Sequence, residues 1–108
     1  MKIDVKPLSV NQVWQGRRFK TPAYHNYEKL LLLTLPKYNL PEPPYEIHIT
    51  FGLSSSLSDW DNGIKPLQDI LSKKYGFNDK LIFKGVVEKV KVDKGQEFFD
   101  FEIIHYEI

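Results

Sequence analysis

Glu46-Ile47-His48-Ile49-Thr50-Phe51-Gly52-Leu53 alternates along its whole length. Ile47, Ile49, Phe51 and Leu53 fall on one side, with His48 and Thr50 on the other. Successive side chains of a strand point to opposite faces, so this period of two predicts a half-buried strand whose apolar face needs a cover. Upstream, Thr21-Pro22 opens a helix. Threonine caps free backbone N–H groups, and proline at the first helical position loses no hydrogen bond. Tyr24, Tyr27, Leu31 and Leu35 then share one face, with Leu30 beside them, until Pro36 closes the helix. Pro41 to Pro44 reads as an extended connector. Before the helix, Met1 to Val5 predicts a short strand and Lys6 to Lys20 a loop with hairpin character.

Downstream, Asp61 or Asn62 is expected to cap a second helix that runs to about Tyr75 and ends at Gly76. Val86 to Val92 and Glu97 to Ile108 read as two strands joined as a hairpin by Asp93-Lys94-Gly95-Gln96. In the last strand the apolar phase slips between Ile103 and Ile104, which predicts a bulge or two buried faces. Strand, loop, helix, strand, helix, strand, strand is an α+β pattern. It predicts a single domain over residues 1–108, a mixed or antiparallel sheet carrying two main helices.

Composition narrows the class. A chain of 108 residues with 42% hydrophobic content can bury one core. The absence of cysteine excludes disulfides, iron–sulfur clusters and cysteine-based zinc sites, and fits a cytoplasmic location. The longest apolar run, Leu30 to Leu33, is far too short to span a bilayer, and Met1 to Val5 lacks the apolar stretch of a signal peptide. No membrane partner is expected. The formal net charge is only +1, which by itself speaks against nucleic acid. The three histidines, His25, His48 and His105, show no ligand-like spacing.

One stretch stands apart: Ser58-Asp59-Trp60-Asp61-Asn62-Gly63-Ile64-Lys65-Pro66-Leu67-Gln68-Asp69. If extended, Asp59 and Asp61 project the same way and Trp60 turns to the core. On the helix, Asp61, Lys65, Asp69 and Ser72 share one face, with Ile64, Leu67, Ile70, Leu71 and Tyr75 on the other. Neighbouring carboxylates repel unless a cation relieves them, and hard oxygen donors suit magnesium or manganese. A lysine beside them suits phosphate chemistry. The same spacing also fits a capping loop followed by a solvated Lys65–Asp69 pair at i,i+4.

The run Asp59-Trp60-Asp61-Asn62-Gly63-Ile64-Lys65-Pro66-Leu67-Gln68-Asp69 closely resembles the D-x-D-N-x-x-K-x-x-x-D signature of the RusA family of Holliday junction resolvases. Three further stretches agree in order. Ser9-Val10-Asn11-Gln12-Val13-Trp14, followed by arginines and Thr21, looks like the family's N-terminal segment. Gly76-Phe77-Asn78-Asp79-Lys80-Leu81-Ile82 resembles its segment after the helix, and Lys89 matches a lysine in the strand beyond. The resemblance spans about residues 8 to 91. At Asn78-Asp79-Lys80 the chain carries one acid where many relatives carry two.

The resemblance implies that Asp59, Asp61 and Asp79 hold a catalytic magnesium ion, with manganese as a substitute, and that Lys65 is a catalytic lysine. Asn62 and Asp69 match supporting positions. It implies a homodimer that cuts opposed strands of a four-way junction in recombination and repair, with no small-molecule cofactor. A non-cleaving branched-DNA-binding module of a phage replication system is the alternative. Arg17, Arg18 and Lys20, just after Trp14, join Asn11 and Lys89 as DNA-binding candidates, since cations beside an aromatic suit phosphates and bases. The seven lysines between 73 and 94 make either a DNA-facing rim or a guard against edge aggregation. Four of the 14 acids lie in the motif segments. Without them, ten acids face 15 bases, a balance of +5, so the near-neutral total no longer counts against DNA.

Overall fold

The computed structural model describes residues 1–16 and 19–108. Along the chain run β1 (Lys2–Ile3), a 3-10 turn at Val10–Gln12, the ribbon strands β2 (Trp14–Gln15) and β3 (Phe19–Lys20), and α1 (Pro22–Thr34). They are followed by β4 (Tyr45–Leu53), α2 (Ile64–Tyr75), a 3-10 turn at Asp79–Leu81, β5 (Ile82–Lys91) and β6 (Phe98–His105). The architecture is a single α+β domain. Its four-stranded mixed sheet has the order β1-β6-β4-β5, beside the small antiparallel pair β2-β3.

β4 lies inside the sheet because its alternation lets it bury one side completely. Tyr45, Ile47, Ile49 and Phe51 are buried, while Glu46, His48 and Thr50 are only partly covered on the other face. β6 adds Phe99, Phe101 and Ile103 to the same buried side. Over that face lie Tyr24, Tyr27 and Leu31 of α1 and Leu67, Ile70 and Leu71 of α2. Each large side chain so buried contributes roughly 1.5–3 kcal/mol. Both helices therefore cover one face of the sheet, and the opposite face stays open. Leu30, off the buried stripe of α1, is 47% exposed.

Local signals set the helix ends. The Thr21 side chain accepts the Tyr24 N–H at 3.1 Å, and its hydroxyl donates to the carbonyl of Gln12. Leu35 donates to the carbonyl of Leu31 and closes α1 before Pro36. Gly76, at φ +71°, ends α2 with its N–H on the carbonyl of Ser72. Among the described residues, no helix is long and apolar enough to cross a membrane.

The expected strand pairing fails. β5 and β6 do not form a hairpin: β5 runs parallel to one edge of β4, and β6 runs antiparallel to the other. α2 supplies the crossover that a parallel pair requires. The turn at 93–96 does form, with Gln96 donating to Asp93 at 2.9 Å, but it arches over the end of β4, where Val92 donates to Leu53 at 3.0 Å. The physical reason is burial. β6 has three core side chains and takes the inner place, whereas β5, partly or fully exposed throughout, takes the edge. Of the two alternatives at Ile103 and Ile104 the bulge does not form, since β6 pairs with β4 in unbroken register, while burial on both faces holds in part, with Ile103 buried and Ile104 half-buried on the far face.

Gly76→Ala forces a left-handed conformation on a residue with a Cβ. We expect a loss of about 1–2 kcal/mol in urea unfolding, with space not at issue, because a Cβ at Gly76 meets nothing within 4 Å.

Candidate functional site

The motif begins where β4 ends, and it is coiled rather than extended. The Asn62 N–H points to the carbonyl of Asp59 at 3.4 Å, and the Ile64 N–H to the carbonyl of Asp61 at 3.2 Å. Asp59 and Asp61 thus do not sit at the i,i+2 positions of a strand, which corrects the expectation that they project together. The turn packs hard on the core: a Cβ on Gly63 would lie 2.9 Å from the ring of Phe51. Gly63 itself occupies the N-cap of α2 without a side-chain cap, so neither Asp61 nor Asn62 plays that part. The carbonyl of Asn62 is instead taken by the Val10 N–H at 2.7 Å, which ties the N-terminal segment to the motif. Trp60, expected in the core, is 55% exposed. Phe51 already fills the space beneath the turn.

α2 then presents its polar face. Pro66 is its third residue, where a missing N–H has no helical partner to lose. The Lys65 ammonium stands 2.9 Å from Asp69 Oδ1 and 3.5 Å from Asp79 Oδ2. Asp79 comes back to the helix at the start of the second 3-10 turn, whose preceding residue Asn78 accepts the Lys80 N–H at 3.0 Å. Gln68 Nε2 donates to Asp79 Oδ2 at 3.2 Å. Sequence reading missed Gln68, although it lies three residues after Lys65 and so near it on the helix surface. The hydrogen bond to Asp69 is the main influence raising the Lys65 pKa above the ordinary lysine value, and the charges of Asp69 and Asp79 add to it.

Asp59 and Asp61 are exposed and enter no ion pair among the described residues. Asp59 also lines a cavity of about 230 Å³ together with Lys6, Ser9, Asn62 and Glu97. Among the described residues, no three His, Asp or Glu side chains gather closely enough to share a metal ion. In kind, three carboxylates suit magnesium. In placement, Asp79 is engaged with Lys65 and Gln68 rather than assembled with Asp59 and Asp61.

The DNA-binding candidates divide. Asn11 is exposed in the 3-10 turn, its N–H on Ser9 Oγ at 3.2 Å. The Lys20 ammonium lies over the rings of Tyr24, at 4.3 Å, and Trp14, at 5.7 Å. Lys89 donates to the carbonyls of Ser56 and Ser58, at 3.2 and 2.6 Å, and so braces the loop that leads into Asp59. Arg17 and Arg18 lie outside the described residues. Other lysines of the late run are tied within the chain, Lys73 to Glu28 and Lys74 to the carbonyl of Leu32. No protein-family model matches the chain, and no curated protein matches it.

Two outcomes follow from this geometry. Asp69→Asn should lower the Lys65 pKa toward the ordinary value, read by NMR titration of its ammonium, and an unchanged titration would show that the pair does not form. The sign for stability is set by the raised pKa: the pairing contributes fully below the unfolded lysine value and is lost as pH rises through the folded one. Gly63→Ala must displace the ring of Phe51, and we expect it to cost about 1–3 kcal/mol in urea unfolding.

Proposed function

We propose that the chain is a metal-dependent, structure-selective endodeoxyribonuclease that resolves four-way DNA junctions by paired nicking, as a cytoplasmic homodimer in recombination and repair. One observation carries this reading. Lys65, on the helix that begins at the Asp59–Gly63 turn, stands between Asp69 of the same helix and Asp79 of the 3-10 turn that follows it. Lys65 and Asp69 belong to the RusA-like run and Asp79 to the matching segment after the helix, so three of the residues singled out by the resemblance meet.

Asp59, Asp61 and Asp79 are the residues that would hold magnesium or manganese, and a bound ion supplies an activated water and neutralises charge on the phosphate. Lys65 places a fixed positive charge beside that phosphate. Asp69 holds the lysine in position at 2.9 Å. Trp14 and Phe19 on the ribbon and Trp60 on the motif turn are 51%, 74% and 55% exposed. Exposed aromatic faces, that of Trp14 beneath the Lys20 ammonium at 5.7 Å, offer stacking surfaces for bases unpaired at a branch point.

The second reading, a branched-DNA-binding module without cleavage, is favoured by the dispersal of the three aspartates. The discriminating experiment incubates the protein with magnesium and a synthetic four-way junction, beside a linear duplex of the same sequence. We expect the junction to be cut and the duplex spared. Asp61→Asn and Lys65→Ala should each slow cutting by about 100-fold or more while circular dichroism stays unchanged. A junction shifted on a gel but never cut would establish the binding module instead. Asp61→Asn cutting at the wild-type rate would sink the nuclease assignment.

A further inference from the structure

β5 is a terminal strand of ten residues, and no helix or strand is laid along its outer edge among the described residues. Edges of that length are templates for further pairing unless something blocks them. This one has no proline, its irregularity at Phe83 lies outside the regular segment 84–91, and it is exposed along most of its length, with Phe83 59% and Val86 43% exposed. Its pairing with β4 sets which way each side chain points. Lys84, Val86 and Glu88 lie opposite Glu46, His48 and Thr50, on the face that the helices leave open. Gly85 and Val87 lie opposite Ile47 and Ile49, toward the helices.

We infer that this edge is a docking surface for a second copy of the chain, the two β5 strands pairing antiparallel about a twofold axis at Val86. Directly opposed residues of an antiparallel pair share a face, and opposite charges there stabilise the pair while like charges oppose it. Centred on Val86, the segment 84–88 meets itself in complementary fashion. Lys84 faces the partner's Glu88, Val86 faces the partner's Val86, and Glu88 faces the partner's Lys84. On the helix side, Gly85 and Val87 exchange places across the axis. Registers centred one residue away lose this match, because Lys84 and Glu88 then face apolar residues. Glu88 has no ion-pair partner within the chain among the described residues, and Lys84 reaches only Glu46, at 3.9 Å. The charges that complete the pattern are thus available to a partner. Pairing in this way joins two four-stranded sheets into one of eight and removes both free edges.

This surface deepens the homodimer of the nuclease reading, yet its test reads mass and not DNA cutting. Analytical ultracentrifugation of the full chain should give twice the 12.7 kDa chain mass. E88K alone sets lysine against the partner's Lys84, and K84E alone sets carboxylate against the partner's Glu88, so each should sediment as a monomer with unchanged circular dichroism. Mixed in equal amounts, the K84E and E88K chains should associate, and the double variant K84E/E88K should dimerise by itself. A monomeric wild-type chain, an E88K chain that remains dimeric, or a mixture that stays monomeric would overturn the inference. Junction cutting by a chain that stays monomeric would do the same and leave the nuclease reading standing.

Discussion

The ring of Phe51 and the bare α-carbon of Gly63 meet where the sheet ends and the motif begins. Phe51 is the last fully inward side chain of β4, 1% exposed, and so is fixed by the entire core. Gly63 can approach it only because it has no Cβ. This contact determines where α2 starts, and the start of α2 determines which way Lys65, Gln68 and Asp69 point. The Val10–Asn62 bond then draws the N-terminal segment against the same turn. The N-terminal segment and the polar face of α2 are thereby referred to one rigid point.

Much of the fold was legible because its signals are local. The alternation from Glu46 to Leu53, the Thr21-Pro22 helix start and the Gly76 stop each follow from the conformation of a few residues. The strand order was not legible. A turn at Asp93–Gln96 looks the same whether its flanking strands pair with each other or straddle a third. That choice is settled by which strand has the larger apolar face to bury, and Phe99, Phe101 and Ile103 outweigh anything on β5. Trp60 failed for a related reason. Its large apolar surface favours the interior, but Phe51 had already occupied the place beneath it.

The site shows the same division. The Lys65–Asp69 pair was legible from its i,i+4 spacing, which holds on any helix. The extended reading of Asp59 to Asp61 underrated turn chemistry, since Asp, Asn and Gly in succession are residues that favour tight turns. The meeting of Lys65 with Asp79 depends on a chain reversal after Gly76, which spacing alone does not reveal. Lys89 matched that resemblance in position, but its amine braces the Ser56–Ser58 loop, so its influence on Asp59 passes through the backbone.

Charge explains why the acids are split between two places. Three carboxylates brought together without a cation raise one another's pKa and repel. Lys65 relieves one of the three by holding Asp79 beside α2, and Gln68 adds a neutral donor to the same oxygen. Asp59 and Asp61 keep their hydration on the exposed turn. At 3.5 Å, and with the lysine side chain 60% exposed, the contact between Lys65 and Asp79 is screened by solvent and weakly held. The lysine's pair with Asp69, at 2.9 Å on the same helix, is the closer of the two. The two acids together hold the Lys65 charge on the polar face of α2, and the weaker contact, to Asp79, is the one that ties the helix to the turn beyond Gly76.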